Sequence, residues 1–94
     1  MRTMVKFSQR FKTELHIIFN FIAQDSKTRA GIFKDELLMQ SKDLANLPFR
    51  FRKSVTSDND NVRDFIFKGY VIPFLIQDDT IIVLGIYKAN EWKF

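Results

Sequence analysis

With 94 residues the chain has room for one domain and one hydrophobic core, and 46% hydrophobic against 28% charged residues is the balance of a folded chain, which excludes a disordered one. The absence of cysteine excludes disulfides, thiolate metal centres and cysteine nucleophiles, and it suits a reducing cytoplasm. The net charge of +4 is uneven: residues 1–57 carry 11 Lys/Arg against 5 Asp/Glu, residues 58–94 carry 4 against 6, so the N-terminal part is the one suited to polyanions or an acidic protein surface.

In chain order, "TMVKF" (Thr3–Phe7) alternates loosely and predicts a short strand. Ser8 then offers a helix N-cap, and Phe11, Leu15, Ile18 and Ile22 fall on one helical stripe that Phe19 widens. This helix is expected to end near Gln24. "QDSKT" connects it to a second helix, capped by Asp25 or Ser26. Ala30, Phe33, Leu37, Leu44 and Leu47 form the second stripe, with Ser41 filling one step, and Pro48 ends it. Gly31 either weakens this helix by ~1 kcal/mol against alanine or allows a close helix–helix approach. The two helices make a hairpin.

"PFRFRKSVTSDNDN" reads as loop. Three strands follow, Val62–Phe67, Tyr70–Ile76 and Thr80–Lys88, joined by turns at Lys68–Gly69 and at "QDDT". The order implies an α+β fold in a single domain, residues 1–94: a short N-terminal strand, a helical hairpin, then a three-stranded antiparallel meander with the helices on one face of the sheet. The middle strand is apolar from Tyr70 to Ile76 although it contains Pro73. Two short helices cover one face only, so Val71, Pro73 and Leu75, which alternation places on the other face, need a second cover. "MRTMVKFSQRFK" lacks a signal-peptide core. "YVIPFLI" and "TIIVLGIY" fall short of the ~20 residues a membrane helix needs. A cytoplasmic location without membrane contact is expected.

Chemistry-bearing patterns are sparse. His16 is the only histidine, one step off the apolar stripe, and reads as a helix-surface residue. "SDNDN" (Ser57–Asn61) alternates carboxylates as a calcium loop does but lacks the remaining ligands and reads as a solvated turn. No metal or cofactor is expected. "FRFRKS" interleaves Phe49 and Phe51 with Arg50, Arg52 and Lys53, a pattern that serves nucleic acids and phosphates; it also arises when buried phenylalanines carry snorkelling arginines. Arg63, Lys68, Lys88 and Lys93 lie on the strands and tail, where they can stabilise a phosphate if the sheet brings them together. Tyr70 and Tyr87 read as buried aromatics or as acids.

Taken together, Pro48 to Arg52 as "P-x-x-x-R", and Arg63 through Gly69-Tyr70-Val71-Ile72 to Phe74 as "R-x5-GY-V-I-x-F", resemble the RelE/ParE superfamily of bacterial toxins. "FIAQDS" and "DDTIIVLGIYK" resemble its inter-helix segment and last strand, so the resemblance covers nearly the whole chain. It implies the toxin of a type II toxin–antitoxin pair, silenced by an antitoxin that docks a helix or adds a strand on the apolar sheet face. Val71, Pro73 and Leu75 would receive it, with Trp92 and Phe94 as aromatic anchors; such a face also suits a homodimer. RelE-like members cleave messenger RNA on the ribosome; ParE-like members poison DNA gyrase. The nucleases carry an arginine after the tyrosine of the "GY" strand, and here Val71 stands there. Arg63, Lys88 and Lys93, with Tyr87 and Glu91 as the nearby acid–base groups, would be the nuclease set. The ParE-like reading is preferred: binding without catalysis, with Arg50, Arg52, Lys53, Arg63 and Lys68 meeting the target. An inactive relative that keeps only the binding role is a third reading.

Overall fold

Ser8 joins three elements. Its N–H continues the ladder of strand β1 (Met4–Phe7) by bonding the Val83 carbonyl at 2.9 Å, and its hydroxyl oxygen accepts from Phe11 N at 3.0 Å, capping helix α1 (Gln9–Asp25). The same hydroxyl donates to the Leu84 carbonyl at 2.8 Å. The computed structural model in which these contacts occur describes residues 4–46, 48–55 and 57–88. Ser26 then serves as the sole connection between the helices: its N–H bonds Ile22 O at 3.0 Å, and its side chain accepts from Arg29 N at 3.2 Å to cap α2 (Lys27–Lys42). One residue that closes one helix and opens the next makes the hairpin tight.

Helix α2 stops at Lys42, short of the expected Leu47. A 3-10 turn, Asp43–Ala45, follows and still carries Leu44 into the core, fully buried. Just before it the buried Ser41 hydroxyl donates back to the Leu37 carbonyl at 2.7 Å, a side-chain bond that competes with regular helix. Leu47 itself lies outside the described residues. Gly31 does not mark a close approach, since a Cβ built there would meet nothing within 4 Å.

The stretch read as loop contains a second 3-10 turn (Pro48–Arg50) and a two-residue strand, β2 (Arg52–Lys53), paired antiparallel with β3 (Val62–Phe67). Strand β4 (Tyr70–Gln77) follows β3 through a turn in which both Lys68 (φ 49°) and Gly69 (φ 86°) are left-handed, the type I′ signature. Strands β5 (Thr80–Val83) and β6 (Tyr87–Lys88) both pair with β4. The sheet order is β1-β5-β4-β3-β2, with β1 parallel to β5 and the other pairings antiparallel.

The single last strand expected over Thr80–Lys88 is therefore broken at Leu84–Ile86, and Pro73 supplies the reason. Ile76 N bonds Asn61 O at 2.8 Å, so even-numbered β4 residues turn their N–H groups toward β3 and odd-numbered ones toward the opposite neighbour. Pro73 is odd and has no N–H to give. Between the Phe74↔Val83 and Val71↔Tyr87 registers, two β4 residues face three residues of the returning chain, which is a β-bulge. The Pro73 carbonyl still accepts from Leu84 N at 2.8 Å.

The core lies between the hairpin and one sheet face. Phe65, Ile72, Phe74, Ile81 and Val83 from the sheet pack against Phe11, Leu15, Phe33 and Leu37 from the helices. Phe51 closes the β2 end edge-on to Phe65 and Phe74, with ring centroids 5.9 and 5.5 Å away. Among the described residues no helix is long and apolar enough to cross a membrane.

Candidate functional site

The cations of the "FRFRK" arm are each tied to a partner. Arg50 Nη2 lies 3.1 Å from Asp43 Oδ2 and its guanidinium sits 4.8 Å over the Phe51 ring. Arg52 Nη2 reaches Asp64 Oδ2 at 3.3 Å, and Lys53 Nζ reaches Asp60 Oδ1 at 3.2 Å. Arg63, opposite Phe74 in the β3–β4 register, bonds three backbone carbonyls: Asp60 O at 3.1 Å, Phe51 O at 3.0 Å and Phe49 O at 3.5 Å. Its guanidinium also stacks 5.0 Å from the Phe49 ring. Arg63 thereby staples the Pro48–Phe51 segment to the sheet. Lys68 Nζ pairs with Glu36 Oε2 at 2.7 Å. The side chains of Arg50, Arg52, Lys53 and Lys68 nonetheless keep half or more of their surface in water.

Of the groups considered for RNA cleavage that are described, Arg63 stands apart from Tyr87 and Lys88, which line one cleft. Arg63 is opposite Phe74, Lys88 opposite Tyr70 on the other side of β4, and Tyr87 opposite Val71 on the reverse face of the sheet. Four residue steps along β4 separate the first two, about 13 Å. Lys88 Nζ lies instead 5.8 Å from the Phe21 ring of α1. Glu91 and Lys93 lie outside the described residues, as do the proposed anchors Trp92 and Phe94.

The sheet face turned away from the helices carries Val62, Asp64, Ile66, Val71, Pro73 and Leu75 in matching register on β3 and β4. It is partly sheltered within the chain itself: Val71 is 2% exposed and Val62 6%, Pro73 and Leu75 are half-buried, and Ile66 is 49% exposed. A continuous bare apolar strand is therefore not what this face presents; the open part is Ile66, Pro73 and Leu75. Beside it, an apolar cleft of about 400 Å³ is lined by Ile17, Ile18 and Phe21 of α1 and by Tyr70, Ile86 and Tyr87, with Glu14 and Lys88 among its walls.

Two side chains that sequence reasoning passed over organise these surfaces. Glu14 Oε1 accepts from Ile86 N at 3.1 Å inside the bulge, and Glu14 Oε2 pairs with Arg10 Nε at 3.4 Å. Gly85 lies beneath that carboxylate, where a Cβ would stand 2.7 Å from Glu14 Oε1. The signal for a partner here was Pro73, since a proline in a central strand announces a break in the ladder. Asp64 is the second, its side chain fully buried while it holds Arg52 and the Val55 N–H, the latter at 3.3 Å. His16 is exposed on α1, and the Ser57–Asn61 turn is held by its own side chains, Asn59 Oδ1 accepting from Asn61 N at 2.9 Å. Among the described residues no group of three or more His, Cys, Asp or Glu is placed to hold a metal ion.

Residues 5–91 match the family model described as "ParE toxin of type II toxin-antitoxin system, parDE". The chain belongs to the ParE toxin family. A chain from the chromosomal ParDE TA system of P. aeruginosa superposes with a TM-score of 0.74 at 17% identity, over 92% of this chain and 95% of that one. A conserved hypothetical protein from Helicobacter pylori, solved in solution, superposes with a TM-score of 0.56 at 13% identity, over 94% and 96%. At those identities the likeness shows the shared fold. No relative among curated protein sequences matches the chain. The ParE family match places the chain among the toxins of type II toxin–antitoxin systems, within the RelE/ParE superfamily.

Proposed function

We propose that this ParE-family chain acts in the cytoplasm by binding DNA gyrase and stalling it on DNA, without catalysis of its own, and that a cognate antitoxin silences it. The observation that carries the choice of target is the separation of Arg63 from Tyr87 and Lys88, which pair with the opposite edge and the other end of β4. An RNA cleavage site needs its base, acid and charge-stabilising groups around one phosphate. Arg63 in addition holds three carbonyls, and the position after Tyr70, where the nuclease branch places an arginine, is the buried Val71. A binding toxin needs only exposed cations of fixed direction. Arg50, Arg52, Lys53 and Lys68 meet that need, because their ion pairs orient them while water still reaches them. Ile66, Pro73 and Leu75 on the reverse sheet face offer apolar area to the antitoxin.

Purified protein added to gyrase, ATP and relaxed plasmid is expected to suppress supercoiling and to accumulate cleaved plasmid. Unaltered supercoiling by gyrase at a toxin excess would refute the assignment of target.

A further inference from the structure

The cleft between α1 and β6 is bounded on one side by a sheet edge. Strand β5 ends at Val83 and β1 at Phe7, and among the described residues β6 pairs with β4 alone. Val71 is odd-numbered and turns its N–H toward β6, so Tyr87 opposite it turns its own N–H and carbonyl back to β4. Ile86 and Lys88 therefore aim theirs outward. Glu14 Oε1 takes the outward Ile86 N–H at 3.1 Å, standing in for the acceptor that a neighbouring strand would supply. The cleft walls also have a direction. Glu14 lies beside Ile86, and about two turns further along α1 the Phe21 ring lies 5.8 Å from Lys88 Nζ. A carboxylate thus stands at one end and an ammonium at the other, with Ile17 and Phe21 open to water along the wall, 63% and 62% exposed. Glu14 and Lys88 are the charged groups of the lining, and Lys88 forms no ion pair among the described residues.

An open strand edge with opposite charges at its two ends is complementary to its own copy turned about a two-fold axis. Antiparallel pairing of β6 with β6 centres on Tyr87 facing Tyr87 of the second copy, and it sets Ile86 of each copy opposite Lys88 of the other. The Lys88 carbonyl of one copy then takes over the Ile86 N–H of the other. The Glu14 carboxylate so released meets the incoming Lys88 ammonium, and Ile17 and Phe21 of both copies close over the joint. Nucleic acid is the poorer fit, since an apolar wall and a carboxylate give a phosphate backbone little. We infer that this cleft is a self-association surface, in which two copies of the chain join β6 to β6 and are clamped by two reciprocal Lys88–Glu14 pairs. The joint is short, so its dissociation constant is expected in the micromolar range. The inference does not depend on the choice of gyrase as target.

Sedimentation velocity of the full chain from about 1 to 100 µM reads the dimer directly. Lys88→Glu sets carboxylate against carboxylate at both ends of the joint and is expected to weaken association about tenfold or more, while Lys88→Arg stays within about threefold of the parent chain. Phe21 is exposed, so Phe21→Glu leaves the core intact and is expected to weaken association as well. The chain has no cysteine, so Tyr87→Cys puts a single thiol on the two-fold axis. Facing Cα atoms in such a pair stand ~4.5 Å apart, within disulfide reach. Mild oxidation is expected to give a covalent dimer with Tyr87→Cys and none with Ile66→Cys on the open part of the reverse sheet face. A chain that stays monomeric throughout the range gives the cleft to another occupant and overturns the inference. A dimer that both Lys88→Glu and Phe21→Glu leave intact overturns it too. So does cross-linking through position 66 with none through position 87, which moves the joint to the sheet face.

Discussion

Arg52 and Lys53 are neighbours with one carboxylate partner each, and burial separates their roles. Asp60 and Lys53 both face water, with 77% and 65% of their side chains exposed, so screening reduces that pair to less than about 0.5 kcal/mol. Asp64 is fully buried; its Oδ2 takes Arg52 and Val55 N, and its Oδ1 has no hydrogen-bond partner among the described residues. Removing Arg52 leaves a buried carboxylate short of its compensating charge. Arg52→Ala is expected to lower the unfolding free energy by about 1–3 kcal/mol in urea titrations, with Lys53→Ala within about 0.5 kcal/mol of the parent chain. Equal losses would show that both pairs are surface decoration. The sequence announced cations at these positions but not their partners. Asp64 reads as an ordinary polar residue until the β2–β3 register sets it opposite Arg52. Gly31 is a simpler case at the same scale. It lies in mid-helix with open space where a Cβ would stand, so Gly31→Ala is expected to stabilise the chain by about 0.5–1 kcal/mol, raising the thermal midpoint.

Among the elements, those with strong local signals were legible. Ser8 and Ser26 are N-caps because their hydroxyls replace missing helical acceptors, and sequence alone points to such residues. The Lys68–Gly69 turn and the bounds of β3 follow from residue type as well. What was not legible depends on pairing. Strand β2 is two residues long and exists only because β3 runs beside it. The end of α2 was misplaced because Leu44 keeps the hydrophobic period in a 3-10 turn, where the period no longer means helix. The break between β5 and β6 is a consequence of Pro73 across the ladder, and Glu14 from α1 repairs it by accepting the Ile86 N–H. Gly85→Ala is expected to push that carboxylate aside, strand the Ile86 N–H and destabilise the chain by about 1–2 kcal/mol. Amide exchange at Ile86 should accelerate in parallel; unchanged exchange would contradict the repair.

For the whole molecule, the fold separates a helix-bearing face that is filled from surfaces that are available. The filled face holds a phenylalanine-rich core and needs no partner. The open surfaces are the Ile66–Pro73–Leu75 patch, the cleft between α1 and β6 and the half-exposed cations of the β2 arm. Their roles were only partly legible, because a strand that is apolar at every position looks the same whether its second face is bare or sheltered. The structure shelters Val71 and leaves Pro73 and Leu75 half-open. That distribution, with Arg63 bound to carbonyls at a distance from Lys88, supports the proposal of a toxin that binds at its surfaces. The most direct measurement is pulse labelling after induction in a bacterial host, timing thymidine and amino-acid incorporation in the same culture. The gyrase account predicts that DNA synthesis fails first, while protein synthesis continues. Arrest of protein synthesis within minutes, with DNA synthesis still running, would contradict it and assign the chain to the ribosome.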